Sequence, residues 1–139
     1  MTTAREIMSS GVECVRSSDT VVEAARKMAS LDVGALPICG EDGKLKGMLT
    51  DRDIVVKVIA ERKDPLGVDA GELADHPPVC VRADDDVALV RKKMAQYQIR
   101  RIPVLDADHN LVGLVAQADV ARALSDKKTG EVVEAVSQE

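Results

Sequence analysis

Two short stretches concentrate the chemistry this chain can offer. In Gly47-x-x-Thr50-x-x-Asp53, a hydroxyl and a carboxylate stand three residues apart, just after an aliphatic run. If a strand ends there and a helix starts at Thr50, both side chains lie on one side of the helix N-terminus. Free backbone N–H groups at that point favour an anionic or hydroxyl-rich ligand. An aspartate so placed can accept two hydrogen bonds from a vicinal diol, as in a ribose. The same spacing also works with no ligand, because Thr at an N-cap followed by an acid stabilises a helix by itself. Both readings stay open on spacing. The second stretch is the adjacent pair Arg100-Arg101, in a chain of net charge −5. Paired guanidinium groups suit a phosphate. The alternative is surface ion pairing with Asp106 or Asp108.

Other chemistries find no support. There is no Gly-x-x-x-x-Gly-Lys-Ser/Thr loop and no Gly-x-Gly-x-x-Gly, so neither a P-loop nor the usual dinucleotide fold is expected. Asp51 and Asp53 point apart on a helix and no His lies near them in sequence, which argues against a metal site. No Cys-x-x-Cys supports a structural zinc. His76, beside Pro77-Pro78, and His109, in a hairpin, read as exposed loop residues. No catalytic residue and no enzyme activity are expected. The three cysteines, Cys14, Cys39 and Cys80, are an odd number in a chain whose first residues lack the pattern of an export signal. This argues against a secreted disulfide framework and for a cytoplasmic location. They read as small buried thiols. If the strands carrying Cys14 and Cys39 lie side by side, those two reach disulfide distance. Cys80 cannot copy this, because Leu105 occupies the place of Cys39. Arg91-Lys92-Lys93 reads as a solvated helix face, with an acidic partner as the alternative.

The composition narrows the field further. Of 139 residues, 45% are apolar and 31% charged, yet there is one Tyr (Tyr97), no Phe and no Trp. The core must be aliphatic, built from 20 Val, 17 Ala and 11 Leu. Base stacking on aromatic platforms has no residues to use. The acidic balance disfavours nucleic acid polymers and anionic membranes, and no run reaches the length of a membrane span. Tyr97, at the end of a core helix, reads as packing.

The elements that must position these residues come in duplicate. Shifting the chain by 66 residues aligns its halves without a gap, with 15 identities over positions 4–54. Among them are Ala4/Ala70, Cys14/Cys80, Lys27/Lys93, Pro37/Pro103, Gly47/Gly113 and Asp53/Asp119. Each half is near the size at which a lone domain is marginal, so the copies are expected to pack as one pseudo-twofold globule. Residues 1–60 form the first repeat, 61–69 a linker, 70–124 the second repeat and 125–139 a polar tail, either frayed or a partner-dependent helix. Thr3-x-x-Glu6, Thr20-x-x-Glu23 and Asp69-x-x-Glu72 predict helix starts. A helix follows Thr20, with Val21, Ala24, Ala25 and Met28 on one face, and its copy spans 87–96. Short strands are predicted at 12–15 and 79–81, and buried strands at 35–38 and 101–105. The partner strands lie at 45–49 and 111–115, across an Asp42-Gly43 turn and a looser one at 108–110. Helices are predicted over 51–60 and 117–124. The class is α/β, each half running helix–strand–helix–strand–strand–helix.

That order, duplicated, with Gly-x-x-Thr-x-x-Asp after the hairpin and a Pro in the middle strand, resembles a tandem pair of cystathionine β-synthase (CBS) domains. The resemblance covers 4–124, and the compact form is similar to small stand-alone CBS-pair proteins of actinobacteria. It implies two intertwined repeats binding adenosyl ligands (AMP, ADP, ATP, NAD or S-adenosylmethionine) in clefts between them, with no cofactor required. It assigns ribose contacts to Asp53 and Asp119, and a hydroxyl contact to Thr50. Its second copy carries Ala116 in place of that Thr. It places the base wall at Glu13, Cys14, Ala35 and Pro37 in the first half, and at Val79, Val81, Arg101 and Pro103 in the second. It further implies a homodimer through the CBS helices and a regulatory role, acting in trans on an unknown protein partner. Loss of the hydroxyl at Ala116 keeps open the alternative of a ligand-independent stress or interaction protein.

Overall fold

The computed structural model describes residues 1–74 and 77–125. His76 and the tail beyond 125 lie outside the described residues. The chain forms two compact units that interleave along the sequence. One comprises 13–78, and the other 1–12 together with the chain from Val79 onward.

In the first unit, β2 (Val15–Arg16) runs parallel to β3 (Ala35–Cys39), which pairs antiparallel with β4 (Leu45–Thr50). The helix α2 (Val21–Leu31) connects β2 to β3. In the second unit, β5 (Val81–Arg82), α4 (Val87–Tyr97), β6 (Arg101–Leu105) and β7 (Leu111–Ala116) repeat this arrangement. There β1 (Ser9–Ser10), which follows α1 (Ala4–Ile7), adds a fourth strand against β7. The 66-residue shift carries every one of these strands and helices from β2 to β4 onto its copy. It also carries over the β-bulge between Ile38 and Cys39, which recurs between Val104 and Leu105. Asp32 and Gln98, which close α2 and α4, both adopt the left-handed conformation.

The sequence repeat and the unit in space differ in one respect. The segment that opens each repeat completes the unit built on the other repeat. The N–H of Ala4 donates to the carbonyl of Asp85 at 2.8 Å, and its copy, Ala70, donates to Asp19 at 2.7 Å. Arg5 donates to Ala83 and Gly71 to Ser17, both at 2.9 Å. Ala4 and Ala70 are fully buried, each inside the aliphatic core of the unit it joins. No aromatic enters either core. Tyr97 is 50% exposed and not a packing residue, as is Leu31, its counterpart, at 42%. Both sit where their helices turn away from the core. Ala25 is also exposed, so the buried face of α2 is Val21, Ala24 and Met28.

Several local expectations change. Thr3 and Glu6 form no capping box; the Thr3 hydroxyl bonds the Glu6 side chain at 3.4 Å instead. Residues 70–73 are a 3-10 turn and not an α-helix. The first strands are shorter and begin later than expected, at Val15 and Val81. The helix expected over 51–60 is α-helical only at Asp51–Ile54, here α3, and continues as a π-helix over Val55–Ile59. Four of those five residues are β-branched and crowd the preceding turn of an α-helix. In the second unit, residues 117–125 are helical, here α5. At the hairpin, Gly43 takes φ +77°, as the Asp-Gly turn requires.

Gly113 shows what the opening segment demands. A Cβ there would stand 2.9 Å from the carbonyl oxygen of Ser9, besides meeting the Met8 side chain. Its copy, Gly47, faces Ala74 in the same way, with the Cβ of Ala74 3.1 Å from an added Cβ. Gly113→Ala should therefore destabilise the protein by about 1–3 kcal/mol in urea denaturation, as overpacking against backbone does. An unchanged midpoint would show that the segment yields without cost.

Candidate functional site

The strand registers gather the predicted residues at one end of each sheet. In the first unit Val15 pairs with Ile38, so residues 13–14 enter alongside Pro37. Ala35 lies across from Thr50. The N–H of Asp51 donates to the carbonyl of Gly34 at 2.9 Å, tying the helix start to the strand start. Glu13 is exposed, Cys14 half-buried, and Ala35 and Pro37 buried. In the second unit Val81 pairs with Val104 and Arg101 lies across from Ala116. Gln117 donates to the carbonyl of Arg100 at 2.8 Å. Val79 is half-buried there, and Val81 and Pro103 are buried.

Thr50 and Asp53 form a reciprocal capping box. The Thr50 hydroxyl accepts from the Asp53 N–H at 3.1 Å, and Asp53 Oδ2 accepts from the Thr50 N–H at 3.0 Å. The capping alternative is therefore realised, with half of the carboxylate left over. The remaining oxygen, Oδ1, faces the Lys57 ammonium at 3.5 Å. In the second unit Asp119 Oδ2 accepts from the Ala116 N–H at 2.9 Å, and Oδ1 meets the Arg122 guanidinium. Replacing Thr by Ala at 116 thus removes the hydroxyl half of the box and keeps the amide half. In both units one carboxylate oxygen is fixed by backbone and the other is held only by a cation on the next turn.

Arg100 and Arg101 are exposed, and among the described residues neither guanidinium makes a hydrogen bond or ion pair. Pairing with Asp106 or Asp108 does not occur. Asp106 Oδ1 accepts from the N–H groups of Asp108 and Asn110, both at 2.9 Å, and so serves its own hairpin.

One pair of contacts was invisible in the sequence. The Lys27 ammonium donates to the carbonyl of Cys14 at 3.1 Å, and the Lys93 ammonium donates to that of Cys80 at 2.8 Å. Lys93 therefore leaves the solvated run 91–93 to which its sequence neighbours assigned it. The identity of Lys27 and Lys93 in the repeat was the available signal.

Cys14 and Cys39 stand as free thiols. Burial is the main force pushing the Cys39 thiol up to about 12, helped by the nearby Cys14 thiol and by negative charge at Cys14 and Asp42. Asp42, on the adjoining turn, is held below the usual carboxylate range by the N–H of Lys44 and by Lys46. Among the described residues no third His, Cys, Asp or Glu joins the thiols in a metal-sized group.

With this geometry in view, known proteins supply the frame. A family model for the CBS domain matches residues 4–60 and 70–126. The chain belongs to the CBS domain family. It is 46% identical over 136 residues to hypoxic response protein 1 of Mycobacterium tuberculosis, covering 98% of this chain and 94% of that protein. Two crystal structures are also similar. That of hypoxic response protein I, described with two coordinated zinc ions, is 48% identical, with a TM-score of 0.81 over 87% of this chain and 98% of the other. That of the CBS domain pair of protein MJ0100, in complex with 5′-methylthioadenosine and S-adenosyl-L-methionine, is 30% identical, with a TM-score of 0.79 over 91% and 98%. The α/β class and the two CBS repeats expected from sequence are thus both found. No helix among the described residues is long and apolar enough to cross a membrane.

The raised position of Cys39 has a direct consequence. Only the thiolate reacts with iodoacetamide, so Cys39 should be the slowest of the three cysteines to alkylate at pH 8, read by peptide mass spectrometry. Because its folded position lies above that of an unfolded thiol, stability contributed by the neutral thiol is present below pH 9 and is lost as pH rises towards 12. Alkylation of Cys39 as fast as that of Cys80 at pH 8 would contradict the placement.

Proposed function

We propose that this CBS pair is a sensor that binds an adenosyl ligand, carries no catalysis of its own and regulates a protein partner in trans. The observation that carries the reading is the pair Arg100 and Arg101. Two guanidinium groups without a partner among the described residues sit at the entry to β6, with Arg101 across from Ala116, whose N–H holds Asp119. An acidic chain leaves two cations unpaired at little cost only where solvent or a small anion neutralises them. A ribose would take Asp53 Oδ1 or Asp119 Oδ1 from Lys57 or Arg122. Both carboxylates are half-buried, and their cations reach them from the solvent side, so a diol with two hydrogen bonds competes with a single cation for that oxygen. The base would lie on Glu13, Cys14, Ala35 and Pro37 in the first unit, and on Val79, Val81 and Pro103 in the second. Aliphatic walls and backbone groups suffice to hold it. A phosphate on Arg100 and Arg101 favours AMP, ADP, ATP or NAD over S-adenosylmethionine in the second unit.

The same proposal includes a homodimer through the CBS helices. Val55, Val56 and Ile59, at 57%, 44% and 54% exposure on one helical segment, support it. Three cysteines standing as free thiols support a cytoplasmic location.

Calorimetric titration with AMP, ADP, ATP, NAD and S-adenosylmethionine tests the reading. At least one should bind with micromolar to millimolar affinity. Arg100→Ala with Arg101→Ala should weaken a phosphorylated ligand about 10-fold or more. It should leave S-adenosylmethionine unchanged. No heat and no thermal shift at millimolar ligand would overturn the sensor reading and leave the ligand-independent interaction protein in its place.

The nearness of Cys14 to Cys39 favours a second reading alongside the first. Two adjacent thiols fit two of the four positions of a zinc ion, and the similar hypoxic response protein I is described with zinc. The other donors would lie outside the pair. Zinc would hold both sulfurs as thiolates, and an oxidant would instead close them into a disulfide. Metal analysis of protein purified without chelator should find zinc, and Cys39→Ala should lose it. Native mass spectrometry that finds two metal-free thiols would argue against it, and a mass two units lower would identify the disulfide.

A further inference from the structure

We infer that Lys27 and Lys93 are positioning residues of the adenosyl sites: each ammonium fixes the carbonyl at the entrance to the base wall, Cys14 in one unit and Cys80 in the other. The inference rests on the sensor reading above for its functional half. Its structural half stands alone.

The two contacts are copies under the 66-residue shift, donor and acceptor alike. Each lysine is half-buried on its helix, α2 or α4, just before a core methionine, Met28 or Met94. Each accepting carbonyl belongs to the last residue before a two-residue strand, Val15–Arg16 or Val81–Arg82. Residues 12–14 and 77–80 lie outside the sheet ladders, so the wall of the base site is held by few backbone bonds of its own. A charge-assisted bond to an ammonium is among the stronger bonds available to a carbonyl. Its position along the helix sets where residues 13–15 and 79–81 sit relative to β3 and β6.

Lys27 recurs as Lys93 together with Met28 and Ala29 as Met94 and Ala95, between positions that change: Ala25 to Arg91 before them and Ser30 to Gln96 after them. Among the described residues no carboxylate pairs with either lysine. The partner that recurs is the carbonyl.

Lys27→Met and Lys93→Met keep the aliphatic stem and remove the donor. Lys27→Arg and Lys93→Arg keep a donor. Carbonyl carbon shifts of Cys14 and Cys80 should move upfield in the respective Met variants and stay near the parent value in the Arg variants. The amide of Val15 or Val81, the first in its sheet ladder, should exchange about 10-fold faster in the matching Met variant, while the core amides of α2 or α4 keep their rates. Affinity for the best ligand of the calorimetric screen should fall about 10-fold in the Met variant of the occupied unit, with partial rescue by Arg. Unchanged carbonyl shifts would overturn the contact. Faster exchange spread evenly over the whole unit would reduce the lysine to a general brace and overturn the positioning role. If the wild-type protein binds no adenosyl ligand, the sensor reading fails, and the shifts and exchange rates still decide whether the lysines position these segments.

Discussion

The docking of each repeat's opening segment into the unit built on the other repeat is the constraint on which the rest depends. Ala4 and Ala70 have no exposed surface, and their N–H groups are bonded to carbonyls far away in sequence. A larger side chain at either place would meet a core already filled with Val, Ile and Leu. Neither stretch of 50-odd residues therefore closes a core from its own chain, which fits the marginal size of each half. The glycine of Gly-x-x-Thr-x-x-Asp belongs to this constraint. It clears room for the docked segment at Met8 and Ala74, while Thr50 and the two aspartates shape the helix starts.

From that frame the site follows by short steps. The parallel pairing of β2 with β3 and of β5 with β6 brings the entering segment beside the Pro-containing strand. The antiparallel partner ends at the next helix, whose cap holds one oxygen of Asp53 or Asp119. The other oxygen is left to an ion pair. Under the proposed reading, aliphatic walls, a carboxylate with one oxygen held by a cation, and two arginines without a partner among the described residues suit a small nucleoside-containing ligand. The near absence of aromatics, which excludes base stacking on rings, leaves that chemistry intact. The two units are not equivalent. The first has the Thr50 hydroxyl, the thiol pair and Gly34-Ala35. The second has Ala116, Cys80 with Leu105, and Arg100-Arg101 in their places.

Much of this was legible from residue order. The 66-residue shift placed α2, α4, β3, β6, β4 and β7 almost to the residue, because local periodicity and turn residues determine them. The capping at Thr50 was readable from its spacing to Asp53. What escaped were consequences of distant contacts. Nothing near Gly113 announces Met8 and Ser9 across from it, and nothing near Lys93 announces the carbonyl of Cys80. The π-helical turn over Val55–Ile59 arises from crowding among β-branched residues that a periodicity count treats as ordinary helix. Tyr97 sits on the exposed end of its helix because the chain turns away there through a left-handed residue, Gln98. The adjacency of Cys14 and Cys39 was readable only on the condition that their strands pair, and they do.

The most direct test of the account is an amide NMR titration of the labelled protein with each of AMP, ADP, ATP, NAD and S-adenosylmethionine. Shifts from at least one of them, confined to residues 13–15, 34–37 and 50–53, or to 79–81, 100–103 and 116–119, are the predicted result. Shifts centred on the groove formed by Lys63, Asp64, Gly67 and Glu72, or no shifts with any of the five at millimolar concentration, would contradict it.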